Sequence, residues 1–247
     1  MGTSPSPRAQ RAFEAMGDTT SWPTPNALHE QSDMGQLRLV ALTATLGLAS
    51  ASWVIAVRQM NGMDMGAATQ LGSFASFIAF WVAMMAAMML PGATPAVVRR
   101  TLDSRRLRTV PLFVGGYLAV WTLFGVGVFV LYHPHGALVA GALTIAAGIY
   151  ELTPLKQQFR RICRERACSA FEFGLCCVGS SIGLMLMLLG LGVMNVALMA
   201  VIAAIVLVQK VYGARAAVDV PLALAIIAFG ALIMVDPSSL PGLTPPM

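Results

Sequence analysis

Seven apolar runs, each close to the length of a membrane-crossing helix, constrain this chain more than any other feature. A helix needs about 20 residues to cross about 30 Å of hydrocarbon. Of the 247 residues only 11% are charged and 57% are hydrophobic, whereas a soluble domain carries roughly 25% charged residues. Charge this sparse cannot cover a water-exposed surface, so the sequence predicts an all-α, polytopic membrane helix bundle with about seven transmembrane helices. The runs are Leu37–Val57, Leu71–Leu90, Val110–Leu131, Gly136–Leu152, Phe171–Leu191, Val193–Val211 and Val218–Val235.

The distribution of basic residues predicts how this bundle is oriented. Cytoplasmic loops of membrane proteins carry an excess of lysine and arginine. When the loops are numbered alternately, all of the 16 basic residues except Arg58 fall in one set. We therefore expect a protein of the bacterial cytoplasmic (inner) membrane, with the N-terminus inside and the C-terminus outside. The predicted surroundings are the lipid bilayer. Because no separate basic domain is present, we expect no nucleic-acid binding.

Three regions follow from these runs. Residues 1–36 are rich in serine, threonine, proline and charge, which predicts a disordered cytoplasmic tail. Residues 37–236 form the predicted transmembrane helical domain, and residues 237–247 a short external tail. The fourth run is short, and a re-entrant fourth segment would reduce the count to six. The loop 153–170 places Lys156, Arg160 and Arg164 on one helical face, which predicts an amphipathic segment on the anionic inner leaflet.

Methionines are the first candidate ligands. The second run contains two i,i+4 methionine pairs, and the loop before it carries three more methionines. Soft thioethers favour Cu(I), and methionines at these spacings can converge on one ion. The alternative is that methionine serves as a flexible apolar filler between helices. The candidates are Met60, Met63, Met65, Met84, Met85, Met88, Met89 and, before the sixth helix, Met194.

Cysteines are the second candidate ligands. Cys176 and Cys177 lie in the fifth run, among small residues. Their thiolates could bind a soft metal if a nearby cation lowered their pKa. The alternative is a seam of glycine, serine and cysteine that lets helices approach closely. Because all four cysteines lie near the predicted cytoplasmic face, where thiols stay reduced, we expect no disulfide.

Two polar residues lie at predicted membrane depth. Glu151 ends the fourth run and Asn195 precedes the sixth helix. Such groups are expensive in lipid and are therefore treated as functional candidates. Because Glu151 lies near the predicted membrane interface, we expect it either to snorkel toward water or to pair with Lys156 or Arg160. No nucleophile–histidine–acid pattern is present, so we assign no catalytic residue.

Three segments together resemble a bacterial family of predicted metal-binding integral membrane proteins, a domain of otherwise unknown function. The resemblance covers about residues 70–212 and implies a metal-binding membrane protein. The chain departs from the family where a further pair of cysteines and a Glu-Lys pair are usual, since it carries Ser180, Ser181 and Gln209-Lys210 there. The segments begin at Trp81-x-x-Met84-Met85, at Tyr150-x-Leu-Thr-Pro154 and at Gly174-Leu-Cys176-Cys177, the last running on to Met194-Asn195.

These observations predict a membrane protein that binds or relays a soft transition metal, copper first among them, without catalytic turnover. Two alternatives remain open. One is an accessory or structural subunit of a larger membrane complex, with membrane-protein partners and no metal. The other is a subunit of a membrane redox enzyme.

Overall fold

The computed structural model describes residues 25–60, 73–131, 136–165, 169–191, 196–212 and 216–236. Within these ranges the protein is all-α, with eight helices and no strand. The helices are α1 (Pro25–Met60), α2 (Phe74–Ser104), α3 (Thr109–Leu131), α4 (Ala137–Glu151), α5 (Pro154–Glu165), α6 (Ala170–Leu191), α7 (Val196–Tyr212) and α8 (Ala216–Val235).

Each apolar run corresponds to one helix, and α5 covers the predicted amphipathic segment. Its basic stripe was expected to face the lipid leaflet, but Lys156 and Arg160 are instead largely buried in ion pairs inside the bundle. The beginning of α6 follows from a capping box. The backbone N–H of Ser169 donates to Glu172 Oε2 at 3.2 Å, and the backbone N–H of Glu172 donates to Ser169 Oγ at 3.1 Å. This reciprocal pair satisfies two of the amide groups that a helix start leaves without an intrahelical partner.

The start of α1 corrects one prediction. The helix begins at Pro25, so residues 25–36 are helical although their composition predicted a disordered tail. Proline suits the first helical position because its fixed φ is already helical and its missing N–H is not needed there. At this end Arg105 Nη2 and Glu30 Oε1 form an exposed ion pair at 2.5 Å. Residues 1–24 and 237–247, the remainder of the two predicted tails, lie outside the described residues.

Helix α2 continues well past the predicted end at Leu90. It runs through Pro91 and Pro95 to Ser104, and Arg105 closes it in a left-handed conformation with φ 52°. Every residue from Met84 to Leu90 is buried, and Ala93 and Val97 beyond the first proline are buried as well. A helix that is buried all round lies in the middle of a bundle. Tertiary packing therefore extends α2 through two prolines that local sequence rules interpret as a helix end.

Glycines set how closely several helices approach. A Cβ atom at Gly148 on α4 would lie 2.6 Å from Ile227 Cγ1 and 3.0 Å from the carbonyl oxygen of Ala223, both on α8. On α6, a Cβ atom at Gly179 would lie 2.8 Å from the ring of Phe159, and one at Gly183 would lie 3.0 Å from Tyr150. The small-residue seam considered for the fifth run is therefore present, and it joins α6 to α4 and α5.

Four helical segments are long and apolar enough to cross a membrane, and the bent pair α4–α5, with a 61° angle, would make five. Helices α7 and α8 contain shorter apolar segments. Large apolar side chains also face outward, among them Leu112, Leu131 and Val235. Length and composition thus support a bundle with several spans, while the count of seven stays a prediction. The four segments are His29–Met60, Phe74–Ser104, Thr109–Leu131 and Ala170–Leu191.

Candidate thiol site and basic cavity

Cys177 is the centre of the candidate site. It lies on α6 with no solvent exposure, inside the main hydrophobic core. Its sulfur is 3.1 Å from the hydroxyl of Tyr117 on α3, and Lys210 Nζ on α7 donates to it at 3.0 Å. Three helices thus bring a thiol, a phenol and an ammonium group together in an apolar interior.

The side chain of Lys210 reaches this thiol by crossing α2. A Cβ atom at Gly92 would lie 2.5 Å from Lys210 Cδ, so the aliphatic stem of the lysine lies directly on the glycine backbone. Only a residue without a side chain allows this approach with the stem in its present position. Gly92 is therefore part of the site, although no sequence signal singled it out.

Two further thiols lie near the first. Cys163 on α5 lies within hydrogen-bonding reach of the thiol of Cys176 on α6, and it faces the carbonyl oxygen of Phe173 at 3.8 Å. Binding a metal at Cys163 would require release of the thiol proton, because a cysteine binds a metal as its thiolate. In the described part of the chain these three cysteines are free thiols, as predicted.

The candidate methionines on α1 and α2 lie within the described residues, and the other candidates do not. Met60 ends α1 with 5% of its surface exposed, and the four methionines of α2 are at most 2% exposed. Met88 and Met89 precede Gly92 by one helical turn and so lie on the side of α2 that faces Lys210. These methionines and Cys177 belong to the same buried hydrophobic core. The methionines of α2 are Met84, Met85, Met88 and Met89, and the candidates outside the described residues are Met63, Met65, Met194 and Asn195.

Glu151 forms the predicted ion pair, and the pair is fully buried. Its Oε2 accepts hydrogen bonds from Lys156 Nζ and from Gln209 Nε2, the second at 2.7 Å, and Lys156 Nζ also donates to Gln209 Oε1 at 3.0 Å. Both charged side chains are 1% exposed. This network ties α4, α5 and α7 together beside the thiol site, because Gln209 directly precedes Lys210.

A second ion pair extends the network to α8. Arg160 Nη1 donates to both carboxylate oxygens of Asp219, at 2.8 and 2.7 Å, and Arg160 Nη2 donates to the carbonyl oxygen of Gln209 at 2.7 Å. Sequence reasoning missed Asp219 and the role of Gln209. An aspartate at the start of an apolar run was the available signal, since such residues rarely lack a partner.

A basic cavity of about 760 Å³ opens beside these residues, between α2, α5, α6 and α7. Cys163 and Ser180 form part of its wall, and no aspartate or glutamate of the described chain lines it. The basic lining residues are Arg99, Arg160, Arg161, Arg164 and Lys210.

The donor set decides which metal the site suits. Across the residues the structure describes, no group of three or more histidine, cysteine, aspartate or glutamate side chains could hold a metal ion. Hard cations and zinc prefer such groups. Cu(I) is different because it is satisfied by soft thiolate and thioether ligands. Cys177, its neighbouring thiols and the thioethers of α2 are soft donors of this kind.

Comparison with known proteins identifies a family. Residues 78–233 match a family model described as "PpoB2: Copper chaperone". The match extends from α2 to α8 and covers more than half of the chain. It contains Cys177, Lys210, the basic cavity and the methionines of α2. No curated protein and no solved structure matches.

Proposed function

Since the chain belongs to the PpoB2 family of copper chaperones, we propose that it is an integral membrane protein that binds Cu(I) and hands it on without chemical turnover. The observation that carries this proposal is the buried Cys177 thiol, bound by Lys210 and adjoining a core lined with methionine thioethers. A chaperone needs ligands that hold a soft ion and also release it. Thiols and thioethers meet both conditions because copper can exchange between them one sulfur at a time.

The charge of the bound ion explains the position of Lys210. Cu(I) held by two thiolates carries one net negative charge, and a buried charge is stable only beside an opposite one. The ammonium group of Lys210, 3.0 Å from the sulfur of Cys177, would supply that charge. Cys176 or Cys163 would supply the second thiolate.

The methionines extend the proposal toward the other end of the bundle. Met60 lies at the C-terminal end of α1, and Met84, Met85, Met88 and Met89 lie along α2. With Met63 and Met65 in the connection between these helices, thioethers would receive or release the ion on the outer side. Thioethers bind without a proton, so this part of the path would work independently of thiol ionisation.

We propose further that the protein lies in the bacterial inner membrane with its N-terminus inside. Contacts between basic segments support this. Arg105 pairs with Glu30 of α1, and Arg99 Nη1 donates to the carbonyl oxygen of Arg164 at 3.5 Å. The N-terminal end of α1, the C-terminal end of α2 and helix α5 therefore lie at the same end of the bundle, as the positive-inside rule requires.

A periplasm-dependent reporter tests this orientation. Fused after Met247 the reporter should be active, and fused at the N-terminus it should be inactive. The opposite pattern would reverse the orientation.

Copper loading tests the proposed function directly. Protein purified from detergent-solubilised membranes and loaded anaerobically with Cu(I) should retain about one equivalent after desalting, because the buried sulfur ligands exchange slowly with solvent. Elemental analysis gives the ratio, and Zn(II) loading serves as the control, with little retention expected. Retention of less than about a tenth of an equivalent of copper would refute the proposal.

A structural role is the second candidate, and the glycine contacts of α6 favour it. A side chain from a neighbouring helix packs directly against each of Gly174, Gly179 and Gly183, and the Cys177 thiol has a hydrogen-bond partner within the protein. These packing contacts are sufficient for an accessory subunit that only binds other membrane proteins. Copper retention separates the two. If the double variant Met84→Leu/Met88→Leu kept normal copper tolerance but lost a co-purifying complex, the structural role would be correct.

A further inference from the structure

The basic cavity next to Lys210 bears on the form in which copper arrives. Its volume of about 760 Å³ lies in the range of small-molecule pockets and is far larger than a single metal ion requires. Cys163 lies in its wall, and Lys210 both lines it and contacts the sulfur of Cys177. The cavity therefore opens beside the thiol site.

Within the part of the chain that the structure describes, most of the basic residues of this cavity have no carboxylate partner. Arg160 is paired with Asp219. Among the residues the structure describes, no salt bridge joins Arg99, Arg161, Arg164 or Lys210 to a carboxylate. Like charges gathered in one concave site raise the local concentration of anions and repel cations.

This charge disfavours the simplest form of the cargo. A bare Cu(I) ion is positive and would be repelled by the basic cavity beside its ligands. A Cu(I) ion carried by small thiolates that also bear carboxylates is negative, and the same cavity would attract it. The size of the cavity, its positive charge and the thiol in its wall are all consistent with binding of such a complex.

We propose that this cavity binds Cu(I) in the form of an anionic complex with a small, carboxylate-bearing thiol. The proposal rests on the copper function above and names the form of the cargo and the place where it docks. In the exchange, a copper–sulfur bond to the carrier breaks as one to a cysteine of the protein forms. The cysteine proton passes to the departing carrier thiolate. Copper stays Cu(I), so no electron donor is involved.

Arg161 and Arg164 allow a direct test, since both are exposed and neither contributes to the buried network. The full-length protein in neutral-lipid nanodiscs receives Cu(I) either from its glutathione complex or from its cationic acetonitrile complex. For the variant Arg161→Gln/Arg164→Gln we expect transfer from glutathione to slow by about tenfold or more, because charge steering changes association rates by 10- to 1,000-fold. Transfer from the acetonitrile complex should be unchanged or faster. The matched control, Arg100→Gln/Arg108→Gln, removes two exposed arginines outside the cavity and should behave as wild type.

The possible outcomes separate this proposal from the function it rests on. Suppose that wild type takes up Cu(I) from the acetonitrile complex, and that the cavity variant takes up Cu(I) from the glutathione complex as fast as wild type does. The docking proposal is then wrong and the copper function stands. Equal slowing with both donors would show a structural role for the arginines and would also overturn it. S-methylglutathione, which has the same carboxylates but no free thiol, should compete with the complex in wild type only. If nanodiscs containing phosphatidylglycerol abolish transfer in wild type, the cavity is a lipid head-group site instead.

Discussion

Replacing Cys177 by serine is expected to weaken Cu(I) binding by more than about 100-fold. Loss of an outer-shell partner alone typically reduces metal affinity 10- to 100-fold, and loss of a direct ligand should exceed that. Serine can still bind Tyr117 and Lys210, which lie 3.1 and 3.0 Å from the sulfur, so the fold should be kept. Competition against a coloured Cu(I) chelator under anaerobic conditions measures the affinity.

The control for this variant is Ser180→Ala, one helical turn further along α6. The hydroxyl of Ser180 donates only to the carbonyl oxygen of Cys177, at 2.9 Å, so its removal should leave copper affinity within about threefold of wild type. If Cys177→Ser bound copper as tightly as wild type while Met84→Leu/Met88→Leu lost it, the primary ligands would be the methionines. The thiol would then have a packing role.

The second large effect is expected at the buried ion pair. Replacing Glu151 by leucine leaves the ammonium group of Lys156, 1% exposed, without its counter-charge. Breaking a buried pair in this way costs about 3–5 kcal/mol of the free energy of unfolding. For a chain of this size that corresponds to a fall of roughly 10 °C in the unfolding temperature. Thermal unfolding in a fixed detergent, followed by loss of monodisperse protein, measures it.

The double variant Glu151→Leu/Lys156→Met separates the charge effect from packing. Replacing both partners of a buried pair by apolar residues of similar size is often neutral or stabilising. The double variant should therefore unfold within a few degrees of wild type, well above either single variant. In the bilayer the apolar pair has no desolvation cost. Additive losses in the double variant would show that Glu151 matters for its packing and its hydrogen bond from Gln209, not for the charge.

Local sequence patterns were sufficient to place the helices. The third, fourth and fifth predicted runs end within one residue of α3, α4 and α6, because uniformly apolar stretches bounded by glycine, proline or charge leave few alternatives. The two clear differences are at α1 and α2. Helix α1 begins earlier than predicted and includes a polar segment, and helix α2 ends later than predicted and includes two prolines. In α2 burial in the middle of the bundle overrides local propensity.

The candidate site was only partly predictable. Cys176, Cys177 and the methionines of α2 were identified because soft ligands are conspicuous in an apolar sequence. Lys210 was noted as a basic loop residue and as part of the Gln209-Lys210 pair, but not as a neighbour of a thiol, and Gly92 was not considered. The structure makes both part of the site, since Lys210 contacts Cys177 across Gly92.

The sequence by itself determined an all-α chain of apolar helices, with its positive charge gathered in alternate connections and soft ligands along two of its helices. Composition and periodicity carry that information because each helix forms from residues adjacent in the chain. The tertiary structure alone decided which thiol receives a cation, that Gln209 and Asp219 join the buried ion pairs, and where a basic cavity opens. Those contacts join residues 33, 58 and 60 positions apart. Such distances are set by how helices pack against one another, which no local pattern encodes.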